Sequence, residues 1–158
     1  MTRLDSAIRR LTAQRDLLNW ASGVIAPTGL VLEIGLGNGR TYDHLREIMP
    51  GRRAIAFDRA FAAHKSCEPS DGDLVLGEID ETARGFCGIS AALVHADIGT
   101  GYPDKDAVTL TWLPDLVANL LTPGGVAASG LPLQHPDLAP LPLPETVPPK
   151  RYFLYRRR

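Results

Sequence analysis

Leu4, Ile8, Leu11 and Leu18 recur at helical spacing, with Ala7 and Leu17 beside them and Arg3, Arg10 and Arg15 on the other side. Apolar residues three and four apart make one stripe of a helix. The pattern predicts an amphipathic helix lying on the body of the domain and closing near Gly23. Pro27 and Gly29 then punctuate the chain before LVLEIG, the first of several short and nearly continuous apolar runs. The others are AIAFD (54–58), LVLGEI (74–79), AALVHAD (91–97) and VAAS (126–129). Such runs are expected where both faces of a strand are covered, as in a parallel sheet. Between them the pattern turns helical. Arg40 to Ile48 is predicted helix and is stopped by PGRR, RAFAAHKSC (59–67) is a short helix, and DETARGF (80–86) a brief one. A longer helix opens at Asp104 and runs through Trp112, Leu113, Leu116, Val117 and Leu120, with Pro114 placed to kink or divide it. The TPGG that follows ends it.

Prolines recur every few residues from Leu131 to Pro149, which predicts an extended, irregular connection, and RYFLYRR alternates as a last strand does. Strands alternating with helices predict an α/β fold: a three-layer sandwich with a Rossmann-like, mostly parallel sheet, helices on both faces and an abbreviated C-terminal part. We read residues 1–158 as one domain, with an N-terminal helix (1–23), a core (30–129), a Pro-rich connection (131–149), and a last strand with a basic tail (150–158). Right-handed crossovers place the loops after the parallel strands on one sheet edge, where ligands bind. The residues to inspect are therefore Gly35 to Gly39, Asp58, Glu78 and Asp97.

Composition narrows the partners. A chain of 158 residues, 44% of them apolar, can bury a core of its own. A formal charge of −1 supplies no field for nucleic acid or anionic lipid. The first twenty residues contain no continuous apolar core of a signal peptide, and no run is long enough to span a bilayer. Cys67 and Cys87 stand far apart without a CxxC pattern, as reduced structural thiols do. The expectation is a cytoplasmic protein with no membrane partner. Lys150, Arg151 and Arg156 to Arg158 read as a solvated basic tail, with RNA or an acidic acceptor as the sharper alternative.

VLEIGLGNGR raises the chemical question. Gly35, Gly37 and Gly39 leave no side chain between a ligand and the backbone N–H and C=O groups, and the helix start near Arg40 favours a carboxylate or phosphate. Dinucleotide folds use G-x-G-x-x-G; here the spacing is G-x-G-x-G, with Glu33 two residues before the first glycine. A carboxylate there is awkward beside a pyrophosphate and suits a ligand carrying an ammonium group. Asp58, at the end of the second strand, is placed to accept both hydroxyls of a ribose.

Across Leu30 to Ser129 the chain resembles the class I S-adenosylmethionine-dependent methyltransferases, as a short bacterial-type member. VLEIGLGNGR resembles that family's first motif, and AIAFDR its second, with Asp58 as the ribose-binding acid and Arg59 next to it. LVLGEID is similar to the third, where Glu78 and Ile79 match the acid and neighbour that frame the adenine. ALVHADIGTG matches the fourth strand and LLTPGGVAAS the Pro-Gly-Gly turn and fifth strand. The resemblance implies S-adenosyl-L-methionine as cofactor, with its methionine end on the loop Gly35, Leu36, Gly37, Asn38, Gly39. It also implies a sheet of seven strands, of which the sequence after Ser129 offers one; a partner copy, and hence a homo-oligomer, is a candidate to complete it.

Methyl transfer needs alignment and exclusion of water, and a base only where the acceptor must lose a proton. His95 and Asp97, at the end of the fourth strand, are the candidate catalytic residues, and His95 also a cofactor contact. The competing roles are packing under a helix for His95 and pinning of the IGTG turn for Asp97. No acid or Asn follows the fifth strand before Asp137, so no metal is expected. His44, His64 and His135 read as surface or packing residues, and Trp20 and Tyr42 are candidates to border the pocket. The expected function is methyl transfer to a small-molecule acceptor. A cofactor-binding sensor or scaffold, an aminopropyl-type transferase on the same fold, and the disfavoured nicotinamide oxidoreductase are the alternatives.

Overall fold

Five apolar runs become the parallel part of a seven-stranded sheet in the computed structural model, which describes residues 1–158. The strands are β1 (Val31–Ile34), β2 (Ala54–Asp58), β3 (Leu74–Leu76), β4 (Ala91–Ala96), β5 (Leu121–Ser129), β6 (Leu138–Leu141) and β7 (Phe153–Arg157). They lie in the order β3-β2-β1-β4-β5-β7-β6. β1 to β5 are mutually parallel, and β7 runs antiparallel to β5 on one side and β6 on the other. The strand order reverses between β1 and β4, and at such a switch point the flanking crossovers leave on opposite faces and open a crevice.

Side chains alternate across the sheet with a period of two. Val31, Ala54, Ala56, Leu93 and Ala128 pack beneath helices α1 (Arg3–Val24) and α2 (Arg40–Ile48). Leu32, Ile34, Ile55, Val94 and Ala127 pack on the other face, with Leu113, Leu116, Val117 and Leu120. Those last four belong to the last of the helices α3 (Ile79–Thr82), α4 (Pro103–Thr109) and α5 (Leu113–Leu120) that follow β3 and β4. Pro114 divides the predicted long helix in two and stands in the first turn of α5, where its missing N–H costs nothing.

α1 differs from expectation in what covers it. Thr2 and Asp5 form a reciprocal capping box that starts it, but only Ala13, Gln14, Leu17, Leu18 and Ala21 are buried. Leu4, Ile8 and Leu11, read as part of the packed face, are 70%, 54% and 37% exposed. The helix has 22 residues, a rise of about 33 Å, so it outruns the central strands β1 and β4, of four and six residues, and leaves its first half uncovered.

RAFAAHKSC forms only a 3-10 turn at Lys65–Cys67. His64 Nδ1 lies 2.8 Å from Ser66 Oγ and 3.2 Å from the Ser66 amide, and local side-chain bonds of this kind compete with a helix. The larger correction is β6, inside the stretch read as irregular. Pro140 lacks an N–H and is confined to sheet edges; β6 is the edge strand, paired to β7 alone. The C-terminal abbreviation therefore lies in the connection between β5 and β6, which holds no helix, while all seven strands come from one chain. Two arginines of the basic tail belong to β7: Arg156 donates to the Gly124 carbonyl (2.9 Å) and Arg157 to that of Ala118 (2.9 Å). No helix is long and apolar enough to cross a membrane.

Candidate cofactor site at the carboxyl edge of the sheet

The loops leaving β1 to β4 enclose a crevice of about 590 Å³, within the range of small-molecule sites. Gly35 and Gly37 supply its floor after β1, Asp58 and Arg59 one wall after β2, and Glu78, Ile79 and Asp80 the wall after β3. Asp97, Ile98 and Thr100 follow β4, and Trp112 closes the far side between α4 and α5. A shallow hollow of similar volume, about 550 Å³, lies at the opposite edge, where Arg52 is already bonded to the carbonyls of Ala26, Thr28 and Gly29.

The bend after β1 exists because Gly35 takes φ +89°, a region costly for residues with a side chain. Its N–H donates to the Phe57 carbonyl (2.9 Å), which holds the loop against the end of β2. A Cβ at this position would clash with Ile98 Cγ2, so the floor of the crevice is bare backbone. Asp58 Oδ2 accepts from the Gly37 amide (2.8 Å) and Oδ1 from the Arg59 amide (2.7 Å). A carboxylate has about four acceptor positions, so two remain for a ligand. Arg59 pairs with Glu78 across the mouth at 3.2 Å, both largely exposed, an arrangement worth little to stability.

Glu33 and His95 stand behind this surface, lining neither the crevice nor the smaller chamber beside it. They are cross-strand neighbours in the β1–β4 register, both almost wholly buried, with His95 Nδ1 2.5 Å from Glu33 Oε1. Glu33 Oε2 accepts from Thr41 Oγ1 of α2 (3.1 Å), and His95 Nε2 has no partner. Burial by itself lowers the His95 pKa, but the charge and hydrogen bond of Glu33, with the charge of Asp97, outweigh it and raise it. Glu33 and His95, expected at an ammonium group and at the reacting atoms, here turn their polar atoms to each other beneath the loop.

Asp97 does reach the site. It lines both the crevice and the chamber of about 120 Å³ between α1 and the Gly35–Asn38 loop. Gln14 of α1 donates to Asp97 Oδ2, and the buried residue Tyr152 lies near enough to feel the charge of the same carboxylate. Burial, then the Asp97 charge, pushes the Tyr152 pKa upward. The IGTG turn is pinned by Asp106 instead, which accepts from the Thr100 amide and hydroxyl (both 2.8 Å) and from the Gly101 amide (3.2 Å).

Leu36 and Asn38 border the small chamber, Leu36 with its side chain in the core, while Asn38 Oδ1 takes the Arg40 amide. Gly39 lines neither cavity; it caps α2 where a Cβ would meet Cys67 Cβ at 2.5 Å. Tyr42 is core, its hydroxyl bonded to the Ala54 carbonyl, and Trp20 packs against the same cluster. His44 meets Asn19, His64 meets Ser66, and His135 lies 3.5 Å from Asp115. No group of three His, Cys, Asp or Glu side chains is arranged around a common cation site. Sequence reasoning missed Gln14, Asp80, Ile98, Trp112 and Tyr152. Gln14 alone carried a signal, as a polar residue flanked by Ala13 and Leu17 on the packed side of α1.

Comparison with known proteins matches this geometry to a family. A family model described as S-adenosyl-L-methionine methyltransferase matches residues 1–157. The crystal structure of an S-adenosyl-L-methionine methyl transferase from Silicibacter pomeroyi DSS-3 superposes with a TM-score of 0.90 at 38% identity, over 99% of each chain. The N-methyltransferase NodS from Bradyrhizobium japonicum WM9 shares the fold at 14% identity, with a TM-score of 0.67 over 97% of this chain and 98% of its own. Cofactor-bound Rv0187 from MTB does so at 16% identity, with a TM-score of 0.59 over 92% of this chain and 79% of its own. No curated protein matches in sequence.

Proposed function

We propose, from the premise that this chain belongs to the S-adenosyl-L-methionine methyltransferases of class I fold, that it methylates a small molecule presented beside Asp97. The observation that carries the reading is the convergence of the bare Gly35–Gly37 backbone, the Asp58 carboxylate and Asp97 on one crevice. The fit to the cofactor rests on that donor set: open acceptor positions on Asp58 suit ribose hydroxyls, and Ile79 offers an apolar wall between Glu78 and Asp80 for a base. Once bound, the cofactor supplies an electrophilic methyl group on a sulfonium.

The protein then contributes position and exclusion of water. Asp58 holds the sugar while keeping the Gly37 amide, so that binding and loop geometry are set by one side chain. Gly35 lets the ligand lie directly on the strand end. Asp97, held at Oδ2 by Gln14, borders the acceptor and is the carboxylate placed to take a proton from it. His95 serves as a positioning residue, holding Glu33, which in turn holds Thr41 at the start of α2.

Calorimetric titration with S-adenosylmethionine and S-adenosylhomocysteine tests the site, with saturable binding of both expected and no heat from either counting decisively against it. Asp58→Ala is expected to weaken both by about 1–3 kcal/mol, the scale of a lost hydrogen bond to a charged group. Asp58→Asn, which keeps an acceptor for the Gly37 amide, should lose less. Equal affinities in wild type and Asp58→Ala would show that the ribose lies elsewhere.

A further inference from the structure

The segment that runs from β4 through α4 is tied to itself and to little else. Ile98 packs against the core before it, and Leu110 and Trp112 do so after it. Between these anchors every residue from Gly99 to Val108 is exposed except Asp106, and no residue of α4 is buried. Asp106 braces the segment from within. Its bonds from Thr100 and Gly101 fold the turn back onto the helix, and they hold its carboxyl below the usual carboxylate range. Lys105 adds a second internal contact, its ammonium 5.1 Å from the centre of the Tyr102 ring. Thr100 to Thr109 is therefore one internally braced flap held at both ends, the form that hinge motions take.

The flap borders the crevice without covering it. Thr100, Val108 and Thr109 line it from the flap, and Glu78, Ile79 and Asp80 from the wall after β3. Val108 is 64% exposed, an isopropyl group left in water at the rim of a cavity. Burial of such a group is favourable, and methyl transfer needs a site that sheds water. A nucleoside laid against Asp58 and Ile79 offers Val108 an apolar face to pack on.

We propose that Thr100 to Thr109 is a lid: it swings as one piece about Gly99 and Leu110 and closes Val108 onto the nucleoside end of the cofactor. This rests on the reading that the crevice holds S-adenosylmethionine. Asp106 is then a positioning residue, because it keeps turn and helix moving together.

Hydrogen exchange of the full chain, free and saturated with S-adenosylhomocysteine, tests the lid. The α4 amides of Asp106 and Leu110 donate to the Tyr102 and Asp106 carbonyls (both 2.9 Å). In the free protein they are expected to exchange by local opening, well ahead of the amides of α5. Any ligand of the folded state suppresses global unfolding, but local opening of the flap slows only if the ligand holds the flap itself. Closure thus predicts that S-adenosylhomocysteine slows the α4 amides at least about tenfold. Val108→Ser is expected to release S-adenosylhomocysteine about tenfold faster, the scale of one lost aliphatic contact, with the thermal midpoint of the free protein little changed. Asp106→Ala should abolish the ligand-dependent protection of α4, again with little change in midpoint, since no core residue is removed. Three outcomes overturn the proposal. One is α4 exchange that bound S-adenosylhomocysteine leaves unchanged while the core strands slow. Another is release from Val108→Ser at the wild-type rate, and the third is wild-type protection of α4 in Asp106→Ala. Absence of any calorimetric binding of S-adenosylhomocysteine to the wild type removes the cofactor site itself, and the lid with it.

Discussion

Replacing Glu33 with alanine is expected to lower the unfolding free energy by about 3–5 kcal/mol, the usual cost of stranding one member of a buried ion pair. Both partners are almost wholly buried and 2.5 Å apart, so solvent cannot substitute for the lost carboxylate. Removal also frees Thr41 Oγ1, which ties α2 to β1. The dyad thus joins β1, β4 and α2, the elements that flank the Gly35–Gly39 loop, and S-adenosylhomocysteine affinity should fall with stability. The pH dependence separates charge from packing. Because the His95 pKa is raised in the fold, its contribution is fully present below the unfolded value of about 6.5 and is lost as pH rises through the folded value. Glu33→Gln keeps an acceptor for Nδ1–H but removes the counter-charge, so burial then favours the neutral imidazole. Urea unfolding across pH should show the gap between wild type and Glu33→Gln narrowing as pH rises above about 6.5. A gap of constant size would mean that the two side chains pack together without exchanging charge.

The parallel part of the sheet was legible because burial on both faces forces continuous apolar runs, and AIAFD or AALVHAD admit few other readings. Once strands and crossovers are placed, the carboxyl edge follows, and with it Gly35, Asp58, Glu78 and Asp97. What the sequence hid depends on register and on distant packing. Glu33 meets His95 across 62 residues only because Val31 pairs with Leu93, and neither local pattern specifies that pairing. Gln14 reaches Asp97 from α1, 83 residues away in the chain. β6 was concealed by Pro140, since proline argues against a strand everywhere except at an edge. The α1 stripe shows a different boundary: periodicity identified an apolar face correctly, but it says nothing of what covers that face. Leu17 and Leu18 meet the sheet, while Leu4 and Ile8 meet water.

The floor of the crevice yields the second large effect. Gly35→Ala is expected to cost about 2–5 kcal/mol of stability, combining a left-handed backbone angle of about 1–2 kcal/mol with overpacking of about 1–3 kcal/mol. The added methyl would clash with Ile98 Cγ2, and Ile98, two residues beyond β4, is branched at Cβ and restricted in its rotamers. Ile98→Ala in the same chain should recover the steric part, giving a coupling of about 1–2 kcal/mol in a double-mutant cycle, and leave the backbone part in place. Cofactor binding should respond differently. Gly35 lines the crevice and the Asp97 chamber together, so a methyl there intrudes on the proposed cofactor site whether or not Ile98 has been trimmed. The double variant is therefore expected to regain stability and still bind S-adenosylhomocysteine at least about tenfold more weakly than wild type, a difference of about 1.4 kcal/mol. Full recovery of affinity would assign Gly35 to packing against Ile98 alone, and the cofactor would then have to contact the loop beyond it, at Gly37 and Asn38.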